Sequence, residues 1–264
     1  MIINPIPTLD SVGGKGFQLY QLQKLCPVPD FFAIQFEKAD EITDPSAQEK
    51  ILNYFKRCGF DKVAVRSSAT VEDSPSASFA GMFETELNIT QDTLVDAIKK
   101  VMFSASNKRV EEYCKLNHLE FHLIQMRVIV QKMINSRVSG VCFTRESKLN
   151  NLMLLEACFG LGEALVSGIA TPDTYRIDRE SMQLVSQSIG FQKTMIIGTS
   201  TQPPVPVPFH RRNAKKLTGD EVTEVAYACM GVEKHLGYLS ADIEWAYEDS
   251  SLYLLQVRPF IGLQ

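Results

Sequence analysis

Two neighbouring segments near the end of the chain, Ser240-Ala-Asp-Ile-Glu-Trp-Ala-Tyr and Leu252-Tyr-Leu-Leu-Gln-Val-Arg-Pro, place two acids, an amide and a guanidinium at alternate positions. Side chains alternate faces along a strand, so Asp242 and Glu244 share one face, and Gln256 and Arg258 share one face of the next strand. Ile243, Trp245 and Tyr247, with Tyr253, Leu255 and Val257, fall on the opposite faces. The polar stretch Glu248-Asp-Ser-Ser joins the two as a hairpin. An odd-numbered turn over 249 to 251 sets Glu244 across from Gln256 and Asp242 across from Arg258. Carboxylate and amide oxygens are hard ligands suited to Mg²⁺, and a guanidinium is a fork for phosphate oxygens. The same pattern also suits a solvated face with one cross-strand ion pair.

Further candidates lie upstream. Gly13-Gly-Lys15-Gly precedes an apolar pattern at 19, 22 and 25 with helical spacing. Glycines let backbone N–H groups approach a phosphate and Lys15 adds a point charge, although a surface turn needs no more than this. No Gly-Lys-Ser/Thr exists in the chain, which excludes a Walker A loop. Arg66 follows the buried-strand pattern Val63-Ala-Val, so it requires an anion or carboxylate partner, from the protein or from a ligand. Ser78-Phe-Ala-Gly81-Met82 is a small-residue loop that suits either a cover over phosphates or a plain hairpin. Glu156 ends a strand pattern before a glycine-rich turn, Phe159-Gly-Leu-Gly, and a short helix. Ile129-Val-Gln131-Lys-Met133-Ile is expected between two strands, where backbone meets a flat base edge and Met133 packs on it or in the core.

Helical and strand-like pieces alternate over the 264 residues, which predicts mixed α and β structure. Val28 to Ile34 reads as an edge strand, and Leu94, Ala97, Ile98, Val101 and Met102 mark an amphipathic helix between Thr93 and Leu116. Leu123 to Met133, Ser139 to Thr144 and Leu152 to Ala157 read as strands. Thr218-Gly-Asp-Glu is a capping box that opens a helix to about His235. Thr201 to Pro208, with four prolines, is an extended strap.

Apolar content of 45% and charged content of 22% are those of a globular protein, and a net charge of -4 argues against nucleic acid as a partner. Six scattered cysteines without a C-x-x-C pair read as buried free thiols. No signal peptide or membrane span is visible, so a reduced, cytoplasmic setting with no membrane partner is expected.

Taken in order, Gly13-Gly-Lys-Gly, Val65-Arg-Ser-Ser-Ala-Thr-Val-Glu-Asp, Ser78-Phe-Ala-Gly-Met, Val130-Gln-Lys-Met, Ser139-Gly-Val, Phe159 to Gly168, Pro172-Asp, Asp242-Ile-Glu-Trp and Gln256-Val-Arg-Pro resemble one family. They are similar to the nucleotide-binding domain of phosphoenolpyruvate synthase and pyruvate phosphate dikinase, and to that of rifampin phosphotransferase. The resemblance runs from about residue 11 to 260. It implies an ATP-grasp-like α+β fold of two lobes, with mixed or antiparallel sheets and flanking helices, enclosing ATP. The expected division is 1–125, carrying Lys15, Arg66 and the loop, and 126–264, carrying the adenine contact and the hairpin. By match of motif, Lys15 and Arg66 hold phosphates, and Ser78, Gly81 and Met82 belong to a lid. Glu244 and Gln256, with Asp242 as a further candidate, bind Mg²⁺. Arg258 contacts the transferred phosphoryl group, Gln131 and Met133 lie at the adenine, and Glu156 at the ribose.

Members of the family split ATP to AMP and pass a phosphoryl group to a histidine on a separate domain. None of the four histidines here (His118, His122, His210, His235) has the small-residue context of such a carrier. The expected partner is therefore a phosphohistidine-carrier domain or subunit outside this sequence. A self-contained kinase of a small acceptor and a non-catalytic nucleotide-binding module are the alternatives.

Overall fold

The computed structural model describes the chain except residues 71–72, 75–76, 79–81, 118–119, 122–123, 148–149, 198–203 and 261–264, and describes 73–74 and 77–78 by backbone alone. His118, His122, Gly81 and part of the proline strap thus lie outside the described residues. The chain divides into two compact units: Met1–Tyr20 with Pro29–Met133, and Gln21–Val28 with Ile134–Gln264. The crossing falls after Met133, later than the expected 125/126, because the strand that ends at Lys132 belongs to the first sheet. Gln131 and Met133 accordingly sit in the first unit, with Lys15 and Arg66.

In chain order the first unit contains β1 (Ile2–Ile3), α1 (Leu9–Leu22, whose last two residues fall in the second unit), β2 (Phe31–Gln35), α2 (Pro45–Cys58), β3 (Val63–Ala69) and β4 (Asp73–Ser74). It continues with β5 (Ala77–Ser78), β6 (Thr85–Ile89), α3 (Leu94–Ser104), α4 (Lys108–Leu116) and β7 (Met126–Lys132). Five strands form an antiparallel sheet in the order β1-β2-β7-β3-β6. The short β1 covers β2, which is therefore an inner strand and not the expected edge. Strand alternation gives each face its character. Phe32, Ile34, Val63, Val65, Val128 and Val130 build a core with Ile51 and Phe55 of α2 and Leu94, Ile98 and Val101 of α3. Asp44 caps α2 by accepting from Ser46 N, and Gly59 (φ 67°) ends it. The single helix expected up to Leu116 is two, because the Asn107 side chain accepts from Arg109 N and starts α4. The opposite sheet face presents Ala64, Arg66 and Ser68 beside Gln131, Ile129 and Arg127.

The second unit contains β8 (Val138–Phe143), β9 (Leu152–Phe159), α5 (Glu163–Val166), β10 (Asp173–Asp178) and β11 (Leu184–Ser188). It ends with β12 (Thr194–Met195), β13 (Val205–Pro206), α6 (Gly219–Leu236), β14 (Ala241–Glu248) and β15 (Ser251–Pro259). Its six-stranded antiparallel sheet runs β11-β10-β9-β8-β14-β15. Val257, Ile243, Cys142, Leu155 and Tyr175 form one fully buried row across five strands. α6 has the expected capping box, Thr218 with Glu221, and ends at Gly237 (φ 70°). The Pro172-Asp motif has a structural use: Asp173 and Lys216, both wholly buried, pair at 2.7 Å. Asp173 also accepts from Gly190 N, Lys216 N and Tyr175 Oη, which satisfies its buried charge.

All six cysteines are free thiols, four buried and Cys26 and Cys58 half-buried. Among the described residues no helix is long and apolar enough to cross a membrane.

Candidate functional site

In the first unit, the Gly13-Gly-Lys-Gly turn does not precede α1 but interrupts it. Gly13 has φ 72° and ψ 179°, a break within the helix. A Cβ there would lie 2.0 Å from Ser68 O, so both the positive φ and the close approach demand glycine. Lys15, half-buried, donates from Nζ to Ser67 Oγ at 3.3 Å. The turn is thereby held against the Arg66-Ser-Ser end of β3. Arg66 is half-buried, paired across the sheet with Thr85 and Ile129, on the same face as Ser68 and Gln131. Arg66 and Gln131 thus share the face opposite the apolar core, and Lys15 reaches the next residue of β3, Ser67.

Gln131 is 2% exposed, and its Nε2 has no hydrogen-bond partner among the described residues. Leaving such a donor unmet costs about 1–3 kcal/mol. The expectation that residues 129 to 134 lie between strands is corrected: Ile129 to Lys132 are inside β7, flanked by β2 and β3. The N–H groups of Lys132 and Met133 donate to Asp30 O and Lys62 O, so neither is open to a base edge. The Gln131 side chain and the half-buried Met133 side chain remain. Ser78 lies in β5, its side chain and Gly81 are outside the described residues, and Met82 packs against the apolar core.

In the second unit, β14 and β15 form the expected hairpin with the expected pairs, Glu244 across from Gln256 and Asp242 across from Arg258. The route differs. The turn is the even pair Asp249–Ser250, since Glu248 faces Ser251, and a bulge at Leu255 shifts the register between Glu244 and Trp245. Before the bulge the faces are inverted relative to the expectation: Leu252 and Leu254 are buried with Trp245, while Tyr253 and Leu255 are only half-buried.

Arg258 donates from Nε and Nη2 to Asp242 Oδ2 at 2.9 and 2.7 Å. Asp242 is 7% exposed; burial raises its carboxyl pKa, and the Arg258 guanidinium pulls it back down. Both groups are therefore orienting partners, with Asp242 fixing the fork of Arg258. Glu244 and Gln256, both half-buried, present a carboxylate and an amide on the same face.

Directly opposed residues share a face, so the pairings Gln256–Glu244, Glu244–Val141, Val141–Glu156 and Glu156–Thr174 form one row across the sheet. Glu156 is two strands from Glu244, about 10 Å at ordinary strand spacing. Burial raises its carboxyl pKa and Arg176 opposes the shift. Arg176 was not singled out from the sequence; it lies in the neighbouring row with Arg258 and Asp242 and pairs with Glu146 at 2.7 Å. Alternation in Asp173-Thr-Tyr-Arg marks its face, but only the strand order reveals its neighbours. The glycines after Glu156 serve packing: Gly160 (φ 81°) would place a Cβ 2.1 Å from Ile196 O.

No group of three or more His, Cys, Asp or Glu able to hold a metal occurs among the described residues. One carboxylate and one amide oxygen instead fit Mg²⁺, which keeps waters and draws further ligands from phosphates.

Residues 45–263 match the family model for the pyruvate phosphate dikinase AMP/ATP-binding domain. The chain is 36% identical over 215 residues to phosphoenolpyruvate synthase of Pyrococcus furiosus, covering 76% of this chain and 26% of that one. It is 34% identical over 233 residues to rifampicin phosphotransferase of Bacillus subtilis, covering 84% and 26%. Among solved structures it is similar to D-alanyl-alanine synthetase A of Vibrio cholerae, with TM-score 0.42, 12% identity and coverage of 94% and 58%. The chain spans between 18% and 31% of the length of the phosphoenolpyruvate synthases it matches. The family match extends over most of the sequence, through the Asp242–Arg258 hairpin, and the chain belongs to the AMP/ATP-binding domain family of pyruvate phosphate dikinase.

Proposed function

We propose that this chain binds Mg-ATP, cleaves it to AMP and passes a phosphoryl group to a histidine on a separate carrier domain or subunit, which delivers it to a small acceptor. The observation that carries this reading is the row Gln256, Glu244 and Glu156 beside the Arg258–Asp242 pair on one sheet face. Glu244 and Gln256 would hold Mg²⁺, whose charge neutralises phosphate oxygens. Arg258, oriented by Asp242, would contact the phosphoryl group that moves, and Glu156 would accept from the ribose hydroxyls. Lys15 and Arg66 would hold phosphates, and the unmet Nε2 of Gln131 would donate to the adenine ring. Phosphoryl transfer asks for positioning and charge neutralisation more than for covalent chemistry, and these groups supply both. An ATP-grasp-like hold on the nucleotide is part of the same reading.

The test is ³¹P NMR of Mg-ATP with the chain, with and without the phosphohistidine domain of a related phosphoenolpyruvate synthase. AMP and phosphate should form only with that domain, and Glu244→Ala should abolish them while retaining the wild-type circular dichroism. ADP formed with small acceptors alone would replace the reading with a self-contained kinase. Binding of ATP without turnover under any condition would make the chain a regulatory module.

A further inference from the structure

The hydroxyl of Ser68 occupies the place of a helical hydrogen bond in α1. Ser68 Oγ accepts from Gly16 N at 2.9 Å and donates to Val12 O at 2.7 Å. Gly16 N and Val12 O are the i and i−4 partners that an unbroken helix would join directly. The serine therefore stands inserted in the ladder, one of the recognised causes of a sharp helix break. The break falls at Gly13, between the two bonded groups. Ser68 is wholly buried, so the contact is built into the fold. Its neighbour Ser67 accepts from Lys15 Nζ, and Arg127, paired with Ser68 across the sheet, donates from Nε to Asp10 O at 2.9 Å. The turn is thus gripped before, within and after Gly13 by the same end of one sheet.

We infer that Ser68 is a positioning residue for triphosphate binding: its inserted hydroxyl keeps α1 open at Gly13 and so sets where Lys15 stands. The inference rests on the reading of Lys15 as a phosphate ligand. In Ser68→Ala, Gly16 N and Val12 O can bond to each other, so the helix closes and neither group is orphaned.

Calorimetric titration of the whole chain with Mg-ATP and, separately, with adenosine tests this. Ser68→Ala should weaken Mg-ATP by about tenfold or more, the scale of a misplaced binding group, and leave adenosine unchanged. Equal loss for both ligands would mean a general structural role, and no loss for either would also overturn the inference. Lys15→Met separates the two levels. If it spares Mg-ATP, the phosphate reading itself fails; if it weakens Mg-ATP while Ser68→Ala does not, only the positioning role fails. Should Ser68→Ala not fold, amide hydrogen exchange on the unaltered protein decides, because Mg-ATP must slow exchange over Gly14–Gly16 and adenosine must not.

Discussion

Gln256 lies directly across from Glu244 because Leu255, between it and Leu254, has no partner on the facing strand. With the two-residue turn alone, Glu244 would face Leu255 and Asp242 would face Val257. A one-residue slip sends every side chain to the other face. The bulge absorbs that slip, so deleting Leu255 should leave Gln256 across from Glu244 and Arg258 across from Asp242 and preserve Mg²⁺-dependent ATP binding, whereas Gln256→Leu should abolish it. Fluorescence titration with a nucleotide analogue, with and without Mg²⁺, compares the two. Retained Mg²⁺ dependence in Gln256→Leu would dismiss the hairpin as the metal site.

Arg258 and Asp242 form one unit, and their replacements should not add. Arg258→Ala should cost about 3 kcal/mol or more of transition-state stabilisation, read from kcat/KM. Asp242→Asn keeps the shape but loosens the fork, and should cost less. In the double variant the loss should match that of Arg258→Ala alone. Additive losses would mean that Asp242 acts on its own account.

Trp245 is wholly buried, edge-on to Tyr247 at 6.0 Å, and faces Gly140 on β8. A Cβ on Gly140 would lie 2.7 Å from Trp245 Cζ2, so the Ser139-Gly-Val motif makes room for the indole. Trp245→Ala should lower stability by about 3–5 kcal/mol in urea unfolding. A loss under 1 kcal/mol, on the order of a surface change, would contradict the core placement.

Glu156 tests the link between function and stability through pH. Burial raises its carboxyl pKa above the usual 4.5, so the native state binds the proton more tightly than the unfolded chain. Stability from this group is present in full below about pH 4.5 and is lost as pH rises through the raised native value. Glu156→Gln should thus raise the Tm at pH 7 and leave it unchanged at pH 4, while weakening ATP more than a nucleotide lacking ribose hydroxyls. An equal Tm difference at both pH values would remove the burial argument.

How much of this was legible beforehand follows from the range of each signal. Alternation and capping are local, so the hairpin faces of Asp242, Glu244 and Trp245, the start of α6 at Thr218 and the apolar stripe of α3 could all be read from adjacent residues. The pairing of Glu244 with Gln256 was read correctly for the wrong turn, because a bulge leaves no mark in an apolar run such as Leu252-Tyr-Leu-Leu. What only the tertiary structure decided is long-range. Strand order sets Glu156 and Arg176 on the sheet face of the hairpin, two and three strands away from β14, and β3 delivers the Ser68 hydroxyl into a helix more than fifty residues earlier in the chain. Hydrogen bonds between distant segments depend on how strands are arranged, and a periodic pattern specifies which face a residue takes but not which strand lies next to it.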